Sequence, residues 1–192
     1  MTQRDLAAES GKTETQDQWS LKNRELRKTI TVLGALCIFL STIEFIIPKP
    51  LPYLRIGITN LPIMLAVDIL PFKKFLVLIA IKVFGQALIT GTLFSFIVLF
   101  SLAGTLFSAL SMYALRRFFG RKRISFIGIG TLGAMVSNIS QLTLAWVLIF
   151  GDSVRFIAPP FLAAGLVSGV ALGFFCELFS RRSQWYAERK VR

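Results

Sequence analysis

Histidine is absent from the chain, and its two cysteines, Cys37 and Cys176, stand far apart inside apolar runs. Without an imidazole or a C-x-x-C pair, the usual ligands of a zinc site are missing. Neither cysteine lies in a loop that an oxidising compartment would join, so both read as small packing residues rather than a disulfide. Acidic residues are scarce, ten against 22 lysines and arginines. The four aspartates, Asp5, Asp17, Asp68 and Asp152, are isolated, so no cluster is available to hold Mg²⁺ against a diphosphate. No Walker A loop is present, so the chain does not hydrolyse ATP itself. No nucleophile–base pairing is visible, and no motif calls for a bound cofactor. These absences point away from an enzyme.

What is present is apolar surface. Of the 192 residues, 54% are hydrophobic, and the mean hydropathy is +0.66. That composition belongs to a membrane protein. The net charge of +12 is not a nucleic-acid footprint, because the basic residues fall in short clusters between apolar runs and no DNA or RNA motif occurs. The partner it implies is the bilayer, through anionic headgroups. Apolar segments cover residues 30–47, 56–69, 75–89, 93–115, 124–150 and 156–179. The second is short for a full crossing, since a straight helix of its length covers only ~21 Å. It is counted as a span because the charges alternate only if it crosses.

Lys22, Arg24, Arg27, Lys28, then Lys73 and Lys74, then the cluster from Arg116 to Arg123, and then Arg181, Arg182, Arg189, Lys190 and Arg192 fall on one side. Lys49, Arg55 and Arg155 fall on the other. The positive-inside rule therefore predicts an all-α bundle of six transmembrane helices with both termini in the cytoplasm. It is read as a multi-pass protein of a bacterial cytoplasmic membrane. Residues 1–28 are polar and of mixed charge, unlike a signal peptide, and read as a cytoplasmic tail without structure. Residues 29–180 form the membrane domain, and 181–192 a basic cytoplasmic tail.

The stretch 52–93 carries Arg55, Asn60, Asp68, Lys82 and Gln86 within apolar sequence, and is broken by Pro62 and Pro71. An unpaired charge at the centre of a membrane helix costs roughly 2.5–3.5 kcal/mol on insertion scales, so Lys82 must face a partner or a cavity. Lys82 and Gln86 share a helix face, as do Asn138 and Gln141. Such groups can satisfy one another structurally, or converge on a polar ligand. The ligand reading adds Arg55 and Arg155 from the outer loops, with Tyr53, Trp146 and Phe156 as aromatic walls. The candidate ligand-binding residues are thus Arg55, Asn60, Lys82, Gln86, Asn138, Gln141 and Arg155, and their cations favour a carboxylate or phosphate. Asp68 is expected to pair locally with Lys73 and Lys74, and Glu44 with Arg55 or Lys49 or with the ligand. Gly128, Gly130 and Gly133 fit G-x-G-x-x-G, but inside an apolar helix they predict close helix contact rather than a dinucleotide site. Gly165, Gly169 and Gly173, a stripe continued by Glu177, predict an internal helix seam, as do Ser101, Gly104, Thr105 and Ser108.

The run EFIIPKPLPYLRIGITNLPIMLAVDILPFKKFLVLIAIKVFGQALITGTLFS, with MYALRRFFG, IGIGTLGAMVSNISQL and SVRFIAPPFLAAGLVSG, resembles the bacterial Gx transporter family. That family is also labelled heptaprenyl diphosphate synthase component I. The opening part more loosely resembles riboflavin-type substrate-binding (S) components of energy-coupling-factor (ECF) transporters. The resemblance implies a six-helix subunit that captures a small molecule (a vitamin, a flavin or an isoprenoid- or quinone-related compound). A separate ECF coupling protein and ATPase subunits would supply the energy. In that pattern small residues of the first helix meet the coupling protein, and Thr31, Gly34 and Ala35 match it loosely. The alternative implied by the label is a non-catalytic membrane subunit of heptaprenyl diphosphate synthase, in isoprenoid or quinone biosynthesis.

Overall fold

The computed structural model describes residues 3–46 and 57–189, all of whose regular elements are helical. The chain divides into two units, Met1–Val32 and Leu33–Arg192. Helix α1 (Gln3–Ile46) begins inside the stretch expected to be an unstructured tail. Its polar part carries an exposed Lys28–Glu25 pair at 2.8 Å, one helical turn apart.

In the second unit, a 3₁₀ turn (Ile58–Asn60) leads into the six-residue α2 (Leu61–Ala66). Helices α3 (Phe72–Ile89), α4 (Ile97–Arg123), α5 (Phe126–Ala145), α6 (Val154–Arg182) and the short α7 (Gln184–Arg189) follow. Three helical stretches, Gln18–Ile46, Ile97–Gly120 and Phe126–Arg182, are long and apolar enough to cross a membrane. The last is folded back on itself at Gly151, whose φ of 49° suits glycine, so α5 and α6 form a hairpin. Its contacts run antiparallel: Gly130 lies against Gly169, while Asn138 lies against Gly165.

Large apolar side chains face outward and polar ones inward. Phe94, Phe156, Val167 and Phe174 are exposed, whereas Lys82, Gln86, Asn138 and Gln141 are buried. A chain that turns large hydrophobic side chains outward and amides inward is a membrane protein.

Among the described residues, the second apolar segment is not a spanning helix. Pro62 lies in the first turn of α2 and Pro71 is the N-cap of α3. Proline lacks the amide donor and is at home in the first turn of a helix, so each marks a helix start, and the segment is a 3₁₀ turn and a single short helix. α2 is about 9 Å long. The segment nevertheless travels through half the bundle. Its start, Asn60, bonds Lys82 midway along α3, while Asp68 lies at the basic end against Arg116 of α4. This half-crossing is compatible with α1 and α3 running parallel: Gly34 packs on Ile81, and Gly85 on Ile38.

Glycines make the seams, as the sequence predicts. A Cβ on Gly169 would stand 2.8 Å from the Gly130 carbonyl oxygen, and one on Gly173 2.5 Å from the Ile127 Cα. Gly130 and Gly133 of the G-x-G-x-x-G run meet α6 and Met112 of α4, so the motif is packing. Glu177 continues the α6 stripe and accepts a hydrogen bond from the Phe126 amide at 3.1 Å, satisfying a free donor at the start of α5. The Ser125 side chain caps the same helix through the Gly128 amide.

The expected local pairing of Asp68 with Lys73 and Lys74 is corrected by the structure. The turn after α2 directs Asp68 inward, where Arg116 approaches its carboxylate at 2.8 Å and the Tyr186 hydroxyl donates to it at 2.7 Å. Arg116 also donates to the Ile124 carbonyl at 2.5 Å and lies over the Phe126 ring. Tyr186 is buried edge-on against Phe126, so α7 is part of the body of the protein. Replacing Tyr186 with Ala should cost about 3–5 kcal/mol, the range for truncating a buried aromatic. Tyr186→Phe should cost about 1.5–3 kcal/mol, that of a hydrogen bond to a charged group. Thermal unfolding in detergent micelles distinguishes the two, and equal small losses would show that α7 is not docked.

Candidate functional site

Lysine brings three donors and one charge into the bundle through a flexible stem, so its placement depends on acceptors from other elements. Lys82 is 2% exposed, and its Nζ donates to Asn60 Oδ1 and, at 3.3 Å, to Thr105 Oγ1. Asn60 ends the 3₁₀ turn, and Thr105 lies on the small-residue face of α4. One turn further along α3, Gln86 accepts from the Ser101 hydroxyl at 3.4 Å. The sequence face Ser101–Thr105 therefore supplies acceptors and donors to the face Lys82–Gln86.

The turn itself is held from α1. The buried Glu44 carboxylate accepts from the Gly57 amide at 3.2 Å and the Thr59 amide at 3.5 Å. Gly57 adopts φ 81°, a left-handed conformation that glycine takes without strain. The Glu44 carboxyl group thus fixes the turn that positions Asn60, and Asn60 in turn receives Lys82.

The α5 amides answer a different need. Asn138 Nδ2 donates at 2.9 Å to the Phe161 carbonyl of α6, and Gln141 Nε2 donates at 3.0 Å to Ser137 Oγ in its own helix. Asn138 is seated against Gly165, where any side chain would displace it. Gln141 and Ser137 lie against Gly104 of α4 in the same way.

Between these groups is a cavity of about 30 Å³, lined by polar side chains from Thr59 to Ser168 apart from Gly57 and Ala134. That space suits a water molecule, whereas pockets for drug-sized ligands measure about 300–1,000 Å³. In this conformation the cluster is a hydrogen-bonded core, and a flavin or vitamin does not fit.

Of the residues predicted to bind a ligand, Asn60, Lys82, Asn138 and Gln141 line this cavity, and Gln86 is bonded to one of its walls through Ser101. Arg155 is elsewhere: its side chain is 82% exposed and pairs with Asp152 at 3.4 Å in the turn before α6. Trp146 and Phe156 are also exposed and line no part of it. Arg55, with Tyr53 and Lys49, lies outside the described residues. Sequence reasoning missed Thr105, Ser137 and Ser168 as cavity walls, although Ser101 and Thr105 already stood out as a small polar face. Cys37 and Cys176 are buried free thiols, as expected from their apolar surroundings.

A family model described as heptaprenyl diphosphate synthase component I matches residues 33–179. No curated protein and no solved structure matches the chain.

If mutual satisfaction holds the cluster together, its two ends respond differently to substitution. Lys82→Met keeps the stem and removes the charge together with its need for acceptors, so it should change stability by less than about 1.5 kcal/mol. Asn60→Leu leaves the ammonium short of an acceptor and should cost about 1.5–3 kcal/mol. Unfolding of both variants in micelles checks this order, and the reverse order would mean that Lys82 is held by something other than Asn60.

Proposed function

The chain belongs to the heptaprenyl diphosphate synthase component I family, and from that premise we propose that it is a non-catalytic membrane subunit of a polyprenyl diphosphate synthase. The observation that carries this reading is the family match over 33–179, essentially the whole membrane domain, in a chain without the acidic clusters that synthesis requires. Condensing isoprenoid diphosphates uses Mg²⁺ held between clustered carboxylates and the diphosphate. The carboxylates here do not fit that metal. Asp68 is committed to Arg116 and Tyr186, Asp152 is exposed beside Arg155, and Glu44 holds a backbone turn. Among the described residues no three His, Cys, Asp or Glu side chains stand together. Catalysis therefore resides in a soluble partner, and this chain holds that partner at the bilayer where its product is delivered.

In this reading the bundle lies in a bacterial cytoplasmic membrane with its basic end in the cytoplasm. Lys73, Lys74, Arg117, Arg123, Arg181 and Arg182 sit at that end, where anionic lipid and positive-inside topology favour them. Both termini are cytoplasmic in this topology, as the positive-inside rule favours. The family label names a synthase component, so the importer reading yields first place. What still favours an S-component-like subunit with ECF coupling and ATPase partners is the buried Lys82 cluster alone. Its cavity of about 30 Å³ would have to open around any small-molecule ligand.

Affinity purification from native membranes separates the two. A co-purifying soluble prenyl diphosphate synthase, whose output rises when this chain is supplied in proteoliposomes, is the expected outcome. The chain alone should form no prenyl diphosphate. Recovery of ATPase and coupling subunits instead, with a tightly bound small molecule seen by mass spectrometry, would replace the synthase reading with the importer.

A further inference from the structure

The outer face of the α5–α6 hairpin carries a groove of about 530 Å³ with wholly apolar walls: Ile127 of α5, and Leu166, Val167, Val170, Ala171 and Phe174 of α6. Four of these, Leu166, Val167, Val170 and Phe174, are large and exposed. Helical spacing extends the groove towards charge. Val167, Ala171, Phe174, Leu178 and then Arg181 and Arg182 fall at the i, i+4, i+7 intervals that define one face. From Phe174 to Arg181 the helix rises roughly 10 Å.

A second contact ties the arginines to the other wall. The Arg181 side chain, 74% exposed, pairs with Glu177 at 3.1 Å, and Glu177 accepts from the amide of Phe126, the residue before Ile127. The apolar groove thus ends beside an accessible guanidinium and the neighbouring exposed Arg182, at the basic end of the bundle.

An open apolar groove whose helix face continues to two exposed arginines is complementary to one long hydrocarbon chain with a compact, multiply charged head. We propose that this groove binds a polyprenyl diphosphate, with the isoprenoid chain along Val167, Ala171 and Phe174 and the diphosphate on Arg181 and Arg182. Guanidinium forks bind phosphate oxygens in pairs, which suits a diphosphate better than the single phosphate of a phospholipid. The polyprenyl identity rests on the synthase-subunit reading, while the shape and charge of the groove do not. The groove gives a product too apolar for water a place at the membrane-facing side of the synthase, so the reaction served is one that consumes a polyprenyl diphosphate within the bilayer.

The test is photolabelling in phosphatidylcholine nanodiscs with a heptaprenyl diphosphate carrying a terminal benzophenone. Label should map to residues 166–174. Filling the groove by Ala171→Trp or, independently, Val167→Trp should lower labelling about tenfold, the scale of one lost apolar anchor. The Arg181→Gln/Arg182→Gln pair should lower it by a similar factor of about ten through lost charge-assisted bonds. All four positions are exposed, and unchanged unfolding temperatures verify that the variants are folded. Unlabelled heptaprenyl diphosphate should compete at lower concentration than heptaprenol or phosphatidic acid. Equal labelling of the tryptophan variants, or equal competition by phosphatidic acid, would overturn the proposal and leave an ordinary lipid groove. Because no partner protein is present, such a failure would leave the synthase-subunit reading to its own purification test.

Discussion

Hydrocarbon offers no hydrogen bonds, so a membrane bundle that buries an ammonium must build its acceptors from its own elements. Lys82 imposes that demand on this protein, and much of the second unit meets it. The 3₁₀ turn brings Asn60 to it, α4 brings Thr105, and Glu44 reaches across from α1 to hold the turn in place. None of these contacts lies within one helix. The middle of the bundle is therefore specified by polar pairing between elements, while shape complementarity at glycine fixes the distances.

A second polar lock sits at the basic end, where Asp68, Arg116 and Tyr186 tie the turn after α2 to α4 and α7 and Phe126 packs among them. Between the two locks runs the glycine seam of α5 and α6, in which backbone meets backbone. Buried ion pairs contribute less to net stability than their number suggests, because each charge loses its hydration. Their value here is positional. A charge in this setting tolerates few alternative arrangements, so the locks define register in helices whose apolar faces alone would slide.

Such an interior has consequences for function. Its polar groups hydrogen-bond to one another around a cavity of about 30 Å³, the scale of a bound water rather than of a drug-sized ligand. What remains accessible is the perimeter: a basic end and an apolar face that meets it along α6. The accessory role and the isoprenoid diphosphate groove that we propose both rest on groups that are exposed, whereas the sequence first drew attention to groups that are buried.

The sequence by itself determined the membrane class, the helical content, the basic end and the glycine seams, because each depends on composition or on spacing within a single segment. It also singled out Asn60, Lys82, Gln86, Asn138 and Gln141, since a polar residue in an apolar helix is conspicuous on its own. What it left open was which of these groups satisfy each other. Asp68 was expected beside Lys73 and Lys74, but its partners come from 48 and 118 positions away, through Arg116 and Tyr186. Arg155 was grouped with Lys82 by charge, yet it is spent on Asp152 at the surface. The short second segment was counted as a span from charge alternation, but among the described residues it is a 3₁₀ turn and a six-residue helix. Only the tertiary structure decided these points, because hydrogen-bond partners across a bundle are set by the relative depth and rotation of helices, and neither is encoded by periodicity within any one of them.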